Sequence, residues 1–133
     1  MAAVNARNLL KPFRRPKLWS GIWLLAVFLV IALSLLPAPS LSTLPTGSDK
    51  IEHFLAYFLL AAGVVQLFAA RSAMLFACTA LVVLGVGLEF AQGMLTSTRS
   101  QDPFDALANA LGVLSGFATT LTSWRDLLLR LEA

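Results

Sequence analysis

The chain has 133 residues, of which 58% are hydrophobic and only 13% are charged. Soluble domains carry about 25% charged residues, so a chain this poor in charge cannot cover its apolar surface in water. The net charge of +3 does not point to nucleic acid, because no basic stripe interleaved with aromatics is present. Five of the ten Lys and Arg residues (Arg7, Lys11, Arg14, Arg15, Lys17) instead crowd just before the first apolar run, the pattern of a cytoplasmic juxtamembrane anchor.

That first run, residues 18–36, contains no charged residue. Nineteen helical residues rise about 28 Å, close to the roughly 30 Å thickness of a bilayer's hydrocarbon core. A cleavable signal peptide is the alternative, but the apolar stretch is longer than the usual 7–15 residues and Pro37 and Pro39 crowd any cleavage point, so the segment is expected to be retained. Pro37, Pro39, Pro45 and Gly47 then impose a loop. A second span is predicted over 51–70, with a tight turn at Arg71-Ser72, and a third over 73–93, carrying the single charge Glu89. A polar loop, 95–102, leads to Pro103, which suits the first turn of a fourth helix over 104–122. The lone cysteine, Cys78, excludes an internal disulfide and reads as a small packing residue.

The expected fold is therefore all-α: an integral membrane four-helix bundle over 18–122, preceded by a basic arm over 1–17 and followed by a short amphipathic tail over 123–133. Orientation follows from the Lys and Arg distribution. With the N-terminus inside, the inner segments hold eight of them and the outer loops only Lys50 and Arg99. Both termini are expected in the cytoplasm. Trp19, Trp23 and Trp124 then fall near the cytoplasmic boundary, where interfacial indoles are favoured.

This topology gathers Asp49, Glu52, Glu89, Asp102 and Asp105 on the outer side, together with His53, Gln92, Arg99 and Asn109. Helical spacing groups them further. Asp49, His53 and Tyr57 share one face if the second helix starts as early as Asp49; Gly85, Glu89 and Gln92 share another; Asp105, Asn109, Gly112 and Gly116 share a third. The Gly112-x3-Gly116 pair permits close helix approach. Three such stripes would enclose a polar pocket. Glu89, inside a span, requires a partner, and Lys50 or Arg99 is the expected counter-ion. Asp49 and Asp102 have a plain alternative as helix caps, and His53 and Tyr57 as interfacial side chains.

Two blocks, Asp49-Lys50-x2-His53-x3-Tyr57 and Glu89-x2-Gln92-x6-Arg99-x2-Asp102-x2-Asp105-x3-Asn109-x2-Gly112-x3-Gly116, resemble the VanZ-like family of small bacterial membrane proteins. The resemblance covers residues 49–116. It implies a place in the bacterial cytoplasmic membrane, a role in the cell envelope and, through the family's namesake, a link to resistance to the glycopeptide teicoplanin. The site it carries over is Asp49, Lys50, His53, Tyr57, Glu89, Gln92, Arg99, Asp102, Asp105 and Asn109.

The expected function is binding or modification of an envelope lipid or lipid-linked cell-wall precursor. Lys50 and Arg99 would hold an anionic headgroup, and His53 and Glu89 would exchange protons. No nucleophile motif defines a reaction. No cofactor is expected, and no metal, since no tetrahedral Cys/His spacing exists. The competing readings are a small proton-coupled exporter, disfavoured by a first span without an ionisable residue, and a non-catalytic assembly subunit whose polar cluster is internal glue.

Overall fold

A computed structural model describes residues 9–37 and 45–133. Four long helices follow one another: α1 (Pro16–Leu35), α2 (Ser48–Leu67), α3 (Arg71–Leu95) and α4 (Pro103–Ala118). A short α5 (Leu127–Glu132) closes the chain after two 3-10 turns. Successive long helices run in opposite directions, so the bundle has two ends. One holds the α1–α2 and α3–α4 connections; the other holds the arm, the α2–α3 turn and the tail. α1, α2 and α3 are long and apolar enough to cross a membrane, as is α4 extended to Leu121.

The helix boundaries correct the expected ones by a few residues, each for a local reason. α1 starts on Pro16 and stops before Leu36, whose ψ of 152° is the extended conformation favoured before a proline. α2 begins earlier than expected because Gly47, with φ of 88°, turns the chain directly into the helix. It also ends earlier, at Leu67. The reversal into α3 lies at 68–70, not at Arg71-Ser72, and Arg71 is already helical. α4 tightens into a 3-10 turn at Thr119, where the Thr119 and Thr122 hydroxyls donate to the carbonyls of Gly116 and Thr119.

The core consists of Tyr57, Leu60, Ala61 and Val64 of α2, Met74, Cys78 and Leu81 of α3, and Val113 of α4, with Trp23, Val27 and Val30 of α1 packed against it. Cys78 is buried there as a packing residue. α2 and α4 lie closest, and glycine is the reason. A Cβ on Gly112 would strike the Phe54 carbonyl oxygen, and one on Gly116 the Phe58 carbonyl oxygen. These are backbone atoms that cannot swing aside. α1 is different: it is apolar throughout, yet none of its residues is buried.

The arm and tail do more than the sequence suggested. The arm pairs with the α2–α3 turn: the Lys11 N–H donates to the Leu67 carbonyl at 2.9 Å and the Ala69 N–H to the Leu9 carbonyl at 2.7 Å. Lys11 is not a free headgroup-facing charge. It is only 6% exposed; its Nζ donates to the Val65 carbonyl at 2.8 Å and pairs with Asp126 at 2.8 Å. A cation is thereby placed on the carbonyls that end α2, where the helix dipole favours it. Glu132 does the reverse for α1. Its carboxylate accepts from the Arg14 and Arg15 N–H groups and from the Trp19 indole at 2.8–3.0 Å, placing an anion at that helix's N-terminus.

Gly112→Ala is expected to lower the thermal midpoint in detergent by the equivalent of about 1–3 kcal/mol, the usual penalty of overpacking. Gly87→Ala, with nothing within 4 Å of the added carbon, should leave it unchanged or slightly raised. Circular dichroism melts of the two variants check this.

The Lys11 ammonium, by its hydrogen bond and charge, holds the Asp126 carboxyl below its ordinary range. A carboxyl lowered on folding contributes stability that is complete above its unfolded pKa of about 4 and disappears as pH falls through the lowered value. Asp126→Asn should therefore reduce the midpoint at pH 7, with the gap to wild type narrowing progressively as pH falls below about 4. A pH series of melts measures the gap.

Candidate functional site

The polar end of the bundle is assembled by four local devices. Gly47 turns the chain into α2, so Asp49 and Lys50 sit in its first turn, with His53 and Tyr57 below on the same face. Asp49 does not cap the helix, since the N-cap is Gly47 and makes no side-chain bond. Asp102 does cap α4: its carboxylate accepts from the Phe104 N–H at 2.8 Å, ahead of Pro103 at the first helical position. On α3, Gly85, Glu89 and Gln92 are all buried, and on α4 so are Asp105, Asn109, Gly112 and Gly116. The two stripes face inward as the spacing predicted.

Lys50 is the electrostatic hub. Its Nζ lies 3.2 Å from Asp49, 2.9 Å from Asp102 and 3.2 Å from Asp105, tying the start of α2 to the start of α4. The hydrogen bond from Lys50, with help from the Phe104 N–H, holds the Asp102 carboxyl below the usual carboxylate range.

His53 is the second centre. Its Nδ1 is 2.9 Å from Asn109 Oδ1 and 3.8 Å from Glu89 Oε1, and its Nε2 is 3.7 Å from Asp105 Oδ2. In the tautomer that donates Nδ1–H to Asn109, the Nε2 lone pair faces Asp105. The two carboxylates are used alike. Asp105 gives Oδ1 to Lys50 and turns Oδ2 to His53. Glu89 receives the Asp102 N–H on Oε2, at 3.4 Å, and turns Oε1 to His53.

The counter-ion expected for Glu89 is corrected. Neither Lys50 nor Arg99 pairs with it; the basic side chain within 4 Å of it among the described residues is the His53 imidazole, at 3.8 Å. Lys50 is committed to the three aspartates. Arg99 donates instead to the carbonyls of Leu36, at 3.2 Å, and Leu33, at 3.5 Å. Gln92 donates to the Ser34 carbonyl at 2.8 Å. Pro37 stops α1, so its last carbonyls have no helical partner, and Gln92 and Arg99 supply one. Both residues are drawn toward α1 rather than into the His53 network.

Between α1, α2 and Arg99 lies an open cavity of about 170 Å³. Arg99, Glu52, His53 and Ser34 form its polar part, and Val30, Leu33, Ala56 and Tyr57 its less polar wall. Ser34 and the apolar wall were not legible as site residues, because nothing in an apolar run marks which face meets a cavity. Tyr57 is 2% exposed, and neither its hydroxyl nor Glu89 Oε1 has a hydrogen-bond partner among the described residues. Seven of the expected residues (Asp49, Lys50, His53, Glu89, Asp102, Asp105, Asn109) thus form one network. Tyr57 and Arg99 line the adjoining cavity, and Gln92 braces α1.

No protein-family model matches the chain, and comparisons with curated proteins and with solved structures find no match either.

Asn109 fills the space above Gly85, where an added Cβ would lie 3.1 Å from Asn109 and 3.2 Å from Tyr57. Asn109→Ala should cost about 1–3 kcal/mol by removing the His53 partner, and Gly85→Ala should destabilise by crowding. In the double variant the Nδ2 contact is gone while the Asn109 Cβ and Tyr57 contacts remain, so the crowding is relieved only in part and the combined loss should fall slightly short of the sum of the two single losses. A double-mutant cycle of unfolding free energies tests this coupling.

Proposed function

We propose that this chain is a VanZ-like multi-pass protein of the bacterial cytoplasmic membrane that holds the polar headgroup of an envelope lipid or lipid-linked precursor in the cavity beside His53. Three observations support the membrane setting and orientation. The four long helices have the necessary length and apolarity. α1 is apolar all round without being buried in the protein, so another apolar phase must cover it. The basic residues divide unequally: Arg14, Arg15, Lys17, Arg71, Arg125 and Arg130 belong to one end, and Lys50 and Arg99 to the other. The positive-inside rule then puts the His53 network on the non-cytoplasmic side, with both termini in the cytoplasm. The family reading rests on the two motif blocks alone, and the link to teicoplanin resistance rests on that reading.

The observation that carries the ligand class is the composition of the cavity. An arginine, a histidine and a glutamate at one part, against Val30, Leu33 and Ala56 at the other, suit a molecule with a charged head and an apolar body. Arg99 spends two N–H groups on α1 carbonyls, and its remaining donors are available to an anion. His53 is placed to pass a proton to or from Glu89, so the site has the groups for general acid–base chemistry. A larger apolar groove between α1 and α3, about 740 Å³ and walled by Trp23, Phe68 and Phe76, has no charged lining residue; it suits acyl chains rather than a headgroup.

One observation favours a structural role instead: Lys50 is already saturated by three aspartates, as an internal clasp would be. Filling the cavity separates the two readings. Ala56→Leu removes no charge and leaves the clasp intact. Native mass spectrometry of the purified protein should show a defined co-purifying lipid in wild type and at least a tenfold loss in Ala56→Leu and in Arg99→Ala. A folded Ala56→Leu protein that retains the wild-type lipid complement would refute the headgroup reading and leave the clasp.

A further inference from the structure

The carboxylates at the polar end outnumber the cations that meet them. Asp49, Asp102 and Asp105 converge on Lys50, and its Nζ fills the space between them. A second convergence has no such occupant. One donor atom from each of His53, Glu89 and Asp105 lies within 4.8 Å of the other two, and the lysine that reaches this group, Lys50, pairs with Asp105 through Oδ1 and not through the Oδ2 that faces His53. An acidic cluster alone would mean little. Here a second observation points the same way: Glu89 is 3% exposed, and its Oε1 has no hydrogen-bond partner among the described residues while facing His53.

We propose that His53, Glu89 and Asp105 bind one divalent metal ion of intermediate hardness, Mn²⁺ or Zn²⁺. Each ligand already has its other atom anchored. Asp105 Oδ1 is held by Lys50, Glu89 Oε2 by the Asp102 N–H, and His53 Nδ1 by Asn109. The free atoms are then Asp105 Oδ2, Glu89 Oε1 and the Nε2 lone pair. A metal-ligating histidine is commonly oriented in this way, by a hydrogen bond on its other nitrogen.

The spacing is suitable. Metal–ligand bonds of about 2.0–2.2 Å place ligand atoms roughly 3.3–4.2 Å apart across tetrahedral to trans angles; Asp105 Oδ2 lies 3.7 Å from Nε2, and Glu89 Oε1, which is 3.8 Å from Nδ1, needs a rotation of its carboxylate toward Nε2 to join them. One imidazole with two carboxylates favours Mn²⁺ or Zn²⁺ over Ca²⁺ and Mg²⁺, which prefer oxygen alone. The three ligands come from α2, α3 and α4, and His53 also borders the cavity, so water or a ligand atom could complete the coordination from that side. The proposal rests on these three side chains and does not depend on the lipid reading.

The test uses the full chain purified in detergent, stripped with chelator and titrated with Mn²⁺ or Zn²⁺ alone. Bound Mn²⁺ is read by loss of the free-ion paramagnetic resonance signal, and Zn²⁺ by calorimetry. Wild type should bind one ion of at least one of the two per chain and gain thermal midpoint on binding. Glu89→Gln, Asp105→Asn and His53→Gln should each weaken affinity at least tenfold. Asp126→Asn, a carboxylate change at the other end of the bundle, should not. Should a buried variant fail to fold, His53→Gln at the cavity edge and the wild-type midpoint shift still decide the matter. Absence of stoichiometric binding of both ions by wild type, or affinity unchanged in a folded His53→Gln protein, would overturn the site.

Discussion

The polar end exists because α2 and α4 approach until backbone meets backbone. Gly112 and Gly116 set that separation, with the Phe54 and Phe58 carbonyls lying where side chains would otherwise stand. One to two turns toward the polar end, the same approach brings Asn109 onto His53 and Asp105 onto Lys50. A wider interface would pull both pairs out of hydrogen-bond reach. α3 then completes the arrangement, because the absence of a side chain at Gly85 leaves room for Asn109 and Tyr57. Small residues thus fix the spacing, and the charged network follows from it.

A second theme is the care taken of helix ends. Every helix leaves backbone groups without partners at its termini, and in an apolar setting those groups cannot rely on water. Lys11 serves the carbonyls that end α2, Gln92 and Arg99 serve those that end α1, and Glu132 meets the amides at the start of α1. Three of the chain's charged side chains, Lys11, Arg99 and Glu132, are therefore committed to its own backbone. The groups not committed in this way stand out for that reason: Glu89 Oε1, Asp105 Oδ2 and the imidazole between them.

The helices, their number and the inward stripes of α3 and α4 were legible from apolar run length and from i, i+4 and i+7 spacing. The cap on α4 was legible because Asp102 and Pro103 stand together. Partner choice was not. Glu89 meets His53 rather than Lys50 or Arg99, and that pairing depends on the rotation of three helices about their axes, which spacing within one helix does not fix. Lys11 illustrates the same limit. In the sequence it is one of five basic residues before an apolar run; in the fold it reaches across 54 positions to the Val65 carbonyl. No metal-ligand spacing could be read either, since His53, Glu89 and Asp105 are brought together only by tertiary structure.

The central claim is that the loops before α2 and before α4 lie together on the non-cytoplasmic side, so that scarce ionisable groups meet at one membrane boundary. Single cysteines at Thr46, Ser100 and Ser123, introduced into a Cys78→Ser background, test it directly. In intact spheroplasts, a membrane-impermeant maleimide should label positions 46 and 100 and should reach position 123 only after permeabilisation. Labelling of 46 and 100 from opposite sides, or of 123 from the outside, would contradict the account.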